Sequence, residues 1–302
     1  MVSEYLVKLC AIDGTPYRLY STHAASDTEI IPTFAIISIC ADFDNGTISL
    51  RYYKPNVENK PTELVLIFDK SVSEPLQRFV SEVQSDIVRR ETLFETNRLK
   101  AEAEVGDIPA YDRTEPKRRK YNYASGRIEG DEISDCYGEY KGDGTYYLGD
   151  YVGGKMHGNG YLRLTIEDDP SLAAPDETEI YEGIFVGNSF RFGEAFRDGG
   201  GVTVTYGEFS GRNASGYGTR RTCSYGYCCI YEGSFEADSF SGFGRYADLD
   251  EKYIYVGEFS HGLPYGVGDM ILENGVTVHC DTVSRGSVVG ADSQYQPKSN
   301  TF

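Results

Sequence analysis

A five-residue pattern that returns five times in the second half of the chain constrains the fold more than any other feature. The pattern is an aromatic residue or Thr, any residue, Gly, any residue, and then Phe or Tyr. Its copies begin at Tyr147, Tyr181, Thr205, Tyr231 and Tyr255. A sequence unit that recurs every few tens of residues indicates stacked supersecondary units that bury one continuous core.

A second signature follows the first at a fixed distance. In four of the five copies, a Gly-x-Gly sequence begins nine residues after the central Gly, at Gly158, Gly216, Gly242 and Gly266. The copy at Tyr181 departs from this pattern, since Gly193-Glu194-Ala195 stands there and comes one residue late. The copy at Thr205 lacks the leading aromatic residue.

Each copy predicts a β-hairpin. Residues two apart in a strand share a face, so Tyr231, Gly233 and Phe235 are expected on one face, with Glu232 and Ser234 on the other. The central Gly is expected to leave room for aromatic rings from the next strand. Turn-forming pairs follow each copy, at Gly153-Gly154, Gly187-Asn188, Gly211-Arg212, Ala237-Asp238 and His261-Gly262.

These motifs resemble the MORN repeat over roughly residues 136–286. Tyr137-Gly138-Glu139-Tyr140 with Gly142-Asp143-Gly144 reads as a shortened first unit, and His279–Val283 as a terminal cap. The resemblance implies an elongated, single-layer array of hairpins that serves protein or membrane attachment and carries no reaction.

The aromatic residues of the repeats are the predicted partner-binding residues. They are expected to form one face of the array that supplies internal packing and a contact groove. A purely structural role for the same rings is the alternative. The set comprises Tyr147, Tyr151, Tyr181, Phe185, Phe209, Tyr231, Phe235, Tyr255 and Phe259.

The first 105 residues follow a different pattern. Apolar alternation or runs predict five strands, at residues 5–10, 17–20, 33–43, 47–53 and 63–68. Asp44-Asn45-Gly46 predicts a hairpin turn between two of these strands. The chain is therefore expected to be mainly β, with an N-terminal antiparallel β domain that a C-terminal amphipathic helix closes.

The predicted helix has a recognisable start and an apolar stripe. Ser71 or Ser73 is expected to cap it, with Pro75 in its first turn. The stripe consists of Leu76, Phe79, Val80, Val83, Ile87 and Val88. Beyond Arg89 a polar continuation is expected, ending near Gly106. A sheet with such a helix resembles a pleckstrin-homology domain, although the Trp typical of that family's helix is missing.

Residues 106–135 are predicted to be a polar linker, residues 136–286 the repeat array, and residues 287–302 a flexible tail. The linker contains a basic run, Lys117-Arg118-Arg119-Lys120. This run is interpreted as a solvated segment, a nuclear localisation patch or an electrostatic membrane tether. Residues 167–179 carry six acids and no base and predict a solvated loop, because an EF-hand spacing is missing.

The net charge of −18 limits the partners. Residues 136–302 carry 24 acids and 12 bases, so anionic membranes and nucleic acid should be repelled. We expect instead a protein partner with a basic, helical or aromatic surface, such as a cytoskeletal or scaffold protein, and possible self-association through unpaired strand edges. The alternative function is a membrane-recruitment module that binds phosphoinositides.

No catalytic motif stands out among the residues, so no enzyme activity, cofactor or metal site is predicted. Seven cysteines without a framework spacing predict reduced thiols, and no apolar run is long enough to span a membrane. The N-terminal sequence is too short and too polar for a secretory signal. The sequence therefore predicts a cytoplasmic, non-catalytic scaffold or adaptor, with an association to the cytoskeleton.

Overall fold

The computed structural model describes residues 6–53, 61–125, 127–166, 177–224, 226–284 and 287–288. In these ranges the chain is mainly β, with one α-helix, α1 (Ser73–Val105), and two 3-10 turns, Thr33–Ala35 and Lys70–Val72. The strands are β1 Val7–Ala11, β2 Pro16–Leu19, β3 His23–Ala25, β4 Ile30–Pro32, β5 Ile36–Asp42, β6 Thr47–Tyr53, β7 Pro61–Ile67, β8 Lys117–Asn122, β9 Arg127–Gly130, β10 Cys136–Gly142, β11 Thr145–Val152, β12 Lys155–Ile166, β13 Glu177–Val186, β14 Ser189–Asp198, β15 Gly201–Ser210, β16 Asn213–Ser224, β17 Tyr227–Glu236, β18 Ser239–Asp248, β19 Tyr253–Ser260, β20 Leu263–Leu272, β21 Thr277–Ser284 and β22 Ser287–Val288.

The chain forms two compact units. The first comprises Met1–Leu93, Arg221–Ser234 and Ser239–Phe302, and the second comprises Phe94–Arg220 and Phe235–Asp238. The first unit thus contains the N-terminal strands together with the last hairpins of the array. The domain boundaries predicted from the sequence, with a break after residue 105, stay a prediction.

The N-terminal sheet of the first unit has the strand order β4-β3-β2-β1-β7-β6-β5. The five predicted strands are confirmed, except that Thr33–Ala35, predicted as the start of the third strand, form a 3-10 turn. The strands β3 and β4 were not predicted, because strands of three residues leave too little alternation to recognise. The predicted turn between β5 and β6 is also confirmed. Asp42 accepts the backbone N–H groups of Asp44 and Asn45, and Gly46 has a φ of +68°.

The helix α1 begins where the sequence predicts. The side chain that caps its entry is Asp69, which accepts the backbone N–H of Ser71 at the preceding 3-10 turn, and not a serine. Leu76, Phe79, Val80 and Val83 pack into the core of the N-terminal sheet. Val88 was wrongly assigned to the buried stripe, since it is 61% exposed.

The second half of α1 is less polar than predicted. In the second unit, Ala101 is buried against Ile184 and Phe192 of the array, and Phe94 and Val105 border the same cluster. Asn97 is also buried and donates from its Nδ2 to Glu208. The end of the helix is confirmed, because it stops at Val105, before Gly106 with a φ of +66°.

The predicted hairpins are confirmed. The five pattern copies lie on β11, β13, β15, β17 and β19, and the strand that follows each copy contains its Gly-x-Gly or variant sequence. In the second unit the sheet runs in the order β16-β15-β14-β13-β12-β11-β10-β8-β9, and in the first unit β22-β21-β20-β19-β18-β17. Four of the five predicted turn pairs have positive φ angles at both residues, as at Gly153 (+56°), Gly154 (+71°), Ala237 (+47°) and Asp238 (+72°), whereas in the fifth pair only Gly211 does.

Glycines of neighbouring strands lie opposite one another in register. Gly149 pairs with Gly160, Gly160 with Gly183, and Gly183 with Gly193 in the second unit. In the first unit Gly244 pairs with Gly257, and Gly257 with Gly268. A row of residues without side chains therefore runs across the strands of each unit.

In three of the five copies the leading Tyr lies over two glycines of this row. A Cβ on Gly257 would lie 2.6 Å from the Tyr255 hydroxyl oxygen, and a Cβ on Gly268 would lie 2.6 Å from Tyr255 Cε2. Tyr147 and Tyr231 cover their own glycine pairs in the same way. In these three copies the covering ring thus comes from the same strand as the central Gly, and not from the next strand as expected. The expected arrangement occurs at Gly138 of the shortened first unit, where a Cβ would lie 3.1 Å from the ring of Tyr151 on the next strand.

The hydroxyl of each covering Tyr is anchored at an equivalent place. Tyr147 donates to the carbonyl oxygen of Asp150 at 3.2 Å, and Tyr231 to that of Ser234 at 2.9 Å. Tyr255 donates to the carbonyl oxygen of Glu258 at 3.4 Å. In all three the acceptor is the residue after the central Gly, so one short segment supplies both the ring and its hydrogen-bond acceptor.

The two glycines of Gly-x-Gly have different tasks. The first, as in Gly158 (φ +70°) and Gly266 (φ +72°), adopts a left-handed conformation beside a register shift in the ladder. The second, as in Gly160 and Gly268, lies beneath the Tyr ring. The fixed distance between the two signatures therefore reflects the length of a hairpin turn plus one bulge.

The structure changes two predictions from the sequence, one for the linker of residues 106–135 and one for the C-terminal tail. The predicted linker contains β8 and β9, and β8 pairs in parallel with β10. The acidic segment predicted as a loop lies outside the described residues from 167 to 176, as does the predicted tail beyond Val288. Residues 287 and 288 form the short strand β22.

The expectation of reduced thiols does not hold for two cysteines. Cys223 and Cys228 form a disulfide between β16 and β17. Of the other five cysteines, Cys10 and Cys40 are exposed and three are buried.

Replacing Gly233 by Ala should destabilise the first unit. The new Cβ would lie 2.7 Å from both Gly244 Cα and Tyr231 Cζ, so either the strand pair or the ring must move. We expect a loss of about 1–3 kcal/mol in the free energy of unfolding, the usual cost of overpacking. Urea denaturation of the full chain measures this loss.

Glu236→Ala is the matched control, because Glu236 is an exposed residue of the same strand. It should change the free energy of unfolding by less than about 0.5 kcal/mol. Equal, small effects of the two substitutions would contradict the close approach at Gly233.

Candidate functional site

The face of the last hairpins opposite the tyrosine rings is half covered within the first unit. Ile230, Ala247, Ile254 and Ile271, from β17 to β20, are buried in one cluster with three N-terminal residues. Those three residues are Ile30, Phe34 and Ala35, from β4 and the 3-10 turn after it. This half of the face thus belongs to the core.

Glu232 lies on this face, opposite the tyrosine rings, as the strand alternation predicted, but it is buried. It is 3% exposed, and its carboxylate lies 2.7 Å from Arg245 Nη2 and 3.1 Å from Arg89 Nη2. Asp86 lies 2.9 Å from Arg245, and we call Asp86, Glu232, Arg89, Arg90 and Arg245 the ion cluster. Burial alone would raise the pKa of Asp86, but Arg245, Arg89 and Arg90 bring it below its ordinary value.

Arg90 fixes the N-terminal segment to this cluster. It is buried, and its guanidinium donates to the carbonyl oxygens of Phe34 at 2.9 Å and Ile36 at 2.5 Å. Its Nε lies 3.3 Å from the Asp86 carboxylate. One side chain of α1 therefore connects the N-terminal strands with the acidic part of the cluster.

The other half of the face is open. Three large apolar residues, Phe243, Tyr265 and Val267, are 65%, 54% and 52% exposed. Phe243 pairs in register with Glu258 of β19, and Glu258 faces the bulge of β20 that carries Tyr265 and Val267. We call Phe243, Glu258, Tyr265 and Val267 the outer patch.

The outer patch is continuous with the covered half. On β18, Ala247 is buried in the core, Arg245 lies in the ion cluster, and Phe243 is exposed. On β20, Ile271 is buried whereas Val267 is exposed. Residues two apart share a face, so one surface of these strands passes from core to solvent.

The surroundings of the outer patch are acidic. Residues 239–284 carry seven acids and two bases. Glu258 is exposed within the patch, and Asp269 is about half exposed and lies 2.7 Å from His279 Nδ1. Both bases are engaged, since Arg245 lies in the ion cluster and Lys252 pairs with Glu273. The patch therefore combines exposed apolar area with negative charge.

The nine predicted partner-binding aromatics are all buried, with none more than 7% exposed. In the second unit Phe190 packs against Tyr181, Phe185 and Phe209. In the first unit Tyr255 packs edge-to-face on Phe259. These rings supply the internal packing that was expected of them, and their contact with a partner stays a prediction.

The predicted basic run does not form one patch. It lies on β8, where consecutive side chains alternate between the two faces. Arg118 lies opposite Glu139 in register and pairs with it at 3.2 Å. Lys120 lies opposite Lys141, two residues further along the same face.

The described residues contain no group of three His, Cys, Asp or Glu side chains that could hold a metal ion. Among the histidines, His157 contacts the carbonyl oxygen of Val105 within the second unit, and His23 is fully buried in the first. In the part of the chain that the structure covers, no helix has both the length and the apolar character needed to cross a bilayer.

Sequence reasoning missed the outer patch. The signal was present in the middle residue of Gly-x-Gly, which is Asn159, Tyr217, Phe243 and Val267 in turn. These residues lie on the face away from the tyrosine rings. In the second unit Tyr217 packs against Phe94, at 5.3 Å between ring centroids, whereas Phe243 and Val267 are exposed.

Comparison with known proteins found no match: no protein-family model fits the chain, and no curated protein is significantly similar to it.

Replacing Glu232 by Gln should destabilise the chain. The substitution keeps the shape of the side chain but removes the charge that Arg89 and Arg245 contact. Removing one partner of a buried ion pair leaves an uncompensated charge, and we expect a loss of about 3 kcal/mol. Glu82→Gln breaks the exposed Arg78–Glu82 pair and should cost less than about 0.5 kcal/mol in the same denaturation assay. Similar effects of both substitutions would contradict the burial of the cluster.

His23 should make the stability of the first unit depend on pH. Its Nε2 lies 3.1 Å from the carbonyl oxygen of Glu273, and burial lowers its pKa to about 4. Because the folded pKa is lower than the unfolded value, this contribution is complete above pH 6.5 and is lost as the pH falls towards 4. The loss should approach about 3 kcal/mol.

Urea denaturation at several pH values between 6.5 and 4 measures this contribution. The unfolding free energy of His23→Gln should fall less over that interval than that of the unchanged chain. His261→Gln alters an exposed histidine and should leave the pH dependence unchanged. Parallel curves for the chain and His23→Gln would contradict this role of His23.

Proposed function

We propose that the chain is a non-catalytic scaffold or adaptor that binds a protein partner through the outer patch. The single observation that supports this function most is the exposure of Phe243 on β18 and of Tyr265 and Val267 on β20, on the same side of the sheet with Glu258 of β19 between them. Contiguous apolar area on a folded surface marks interaction sites more often than scattered apolar residues do. Aromatic residues are enriched among those that contribute most to binding.

The chemistry of the patch favours a partner with an apolar stripe bordered by Lys and Arg. Glu258 stands between Phe243 on one side and Tyr265 and Val267 on the other. A cation of the partner would pair with Glu258 while apolar side chains pack on both sides. An amphipathic helix with basic flanking residues has this arrangement, with apolar residues three and four positions apart.

The covered half of the same face supports this kind of docking. There Phe34 packs among Ile230, Ala247 and Ile254, and an Arg side chain neutralises the neighbouring carboxylates. The outer patch presents the same combination of apolar residues and an acid, without such a segment upon it. A partner helix would therefore repeat an interaction that the first unit already makes internally.

We also propose that the array consists of MORN-type repeats and that the N-terminal sheet with α1 is a pleckstrin-homology-like domain. The glycine row and the anchored tyrosines support the first assignment, since they give each residue of the motif a structural task. A cytoplasmic location with a cytoskeletal or scaffold partner fits an acidic surface that attracts basic proteins.

Selection from a displayed library of amphipathic helical peptides tests the proposed function. The purified full-length chain is the target, and the peptides vary in their number of Lys and Arg residues. We expect the enriched peptides to have an apolar stripe with basic flanks. Phe243→Asp should weaken their binding by at least about tenfold, which corresponds to the loss of a central interface residue.

Ile128→Asp is the matched control, because Ile128 is also an exposed apolar residue, on β9. It should leave peptide binding unchanged. Equal binding by Phe243→Asp and the unchanged chain would contradict the site. Salt-sensitive flotation of the chain with anionic vesicles, and no peptide enrichment, would instead favour the membrane-recruitment function.

A further inference from the structure

A row of cations crosses four neighbouring strands at the other end of the array, in the second unit. Lys120 of β8 lies opposite Lys141 of β10, Lys141 opposite Tyr146 of β11, and Tyr146 opposite Arg163 of β12. Side chains of residues paired in register project from the same face of a sheet. Three positive charges and one aromatic ring are thus aligned, with neighbouring strands about 4.8 Å apart.

These residues line an open cavity of about 340 Å³. Its lining contains the three cations and no acidic side chain among the described residues. The other lining residues are Tyr121, Tyr123, Gly142, Gly144, Thr145, Tyr146 and Thr165. The cavity is therefore basic in a protein in which acids outnumber bases by 47 to 29.

The absence of an acid from the lining is unusual for this surface. Two residues away on the same face, Arg118 is matched by Glu139, its partner in register. Lys120 lies in register between Glu129 of β9, whose carboxylate accepts from Asn122 Nδ2 at 2.7 Å, and Lys141 of β10. The two lysines are like charges on neighbouring strands, which is unfavourable. An anion held between the two ammonium groups would turn this repulsion into attraction.

The remaining side chains suit a ligand that is negatively charged and also accepts hydrogen bonds. The Arg163 guanidinium lies 5.8 Å from the ring centroid of Tyr146, so Arg163 and the ring stand beside the lysine pair. The Tyr123 hydroxyl accepts the backbone N–H of Asp143 at 2.6 Å, and this leaves its own proton for another acceptor. Thr165 adds a further hydroxyl donor, whereas the Thr145 hydroxyl donates to the carbonyl oxygen of Asp143 at 3.4 Å.

We propose that this cavity binds a small soluble molecule with at least two phosphate groups. One phosphate would lie between Lys120 and Lys141, and the second would reach Arg163, whose planar guanidinium suits phosphate oxygens. A single carboxylate could neutralise only part of a row that extends over four strands. The site lies on β8–β12 and does not depend on the function proposed for the outer patch.

Isothermal titration calorimetry of the full chain tests this proposal at physiological salt. The soluble probes are inorganic triphosphate, ATP and inositol hexakisphosphate. We expect saturable binding of at least one probe with one site per chain, and affinity that falls as salt rises. The bound probe should also raise the melting temperature of the chain.

Lys141→Gln/Arg163→Gln should weaken binding at least tenfold. The double variant should melt at a temperature no lower than that of the unchanged chain, because it removes charges that repel Lys120. Lys155→Gln is the matched control, since Lys155 is an exposed cation of β12 that does not line the cavity. This control should bind the probes like the unchanged chain.

Three results would overturn the proposal. They are no saturable binding of any soluble probe, equal binding by the double variant, and equal losses in the double variant and Lys155→Gln. In addition to the three soluble probes, binding is measured to phosphatidylcholine vesicles with and without phosphatidylinositol bisphosphate. Binding to the phosphoinositide vesicles alone, with no soluble probe bound, would assign the row to a lipid headgroup and would also overturn it.

Discussion

The packing of one tyrosine ring over two glycines is the interaction on which three of the five hairpins depend. Tyr147, Tyr231 and Tyr255 each cover the central Gly of their own strand and the second Gly of the following strand. Each of these hydroxyls donates to a carbonyl oxygen one residue beyond the central Gly. The ring can lie flat only because both positions lack a Cβ, so burial, hydrogen bonding and strand pairing are satisfied together.

This arrangement also determines which face of the hairpins can contact other parts of the chain. One face is closed by its own rings, which pack against each other within each unit. The opposite face is left for other parts of the chain. In the second unit the end of α1 packs on Ile184 and Phe192, and in the first unit Phe34 and its neighbours pack on Ile254 and Ile271. The outer patch is the portion of this second face that the first unit leaves exposed.

The hairpins could be predicted from the sequence because their determinants are local. The ring, both glycines and the turn of one hairpin lie within about twenty residues, and each leaves a mark in the residue pattern. The helix could be predicted for the same reason, from its start at Ser73 to its end before Gly106. The strands β3 and β4 could not, because three residues give too short an alternation.

The role of the second face could not be read from the sequence. Glu232 alternates with buried aromatics, which is typical of a solvent-facing residue, yet its partners Arg89 and Arg90 come from a helix far away along the chain. The same limitation hid the outer patch, since Phe243 and Tyr217 occupy equivalent places in the motif but differ in what packs on them. The surroundings of these two residues depend on segments far away in the sequence, which a local residue pattern cannot indicate.

Hydroxyl-radical footprinting of the full-length chain, read out by mass spectrometry, distinguishes the two faces of the hairpins. The tyrosine rings close one face, whereas the opposite face ends in an exposed patch. We expect rapid oxidation of Phe243 and Tyr265, with Tyr231, Tyr255 and Phe259 strongly protected. Comparable oxidation of both groups, or protection of Phe243 and Tyr265 with rapid oxidation of Tyr255, would contradict this arrangement of the two faces.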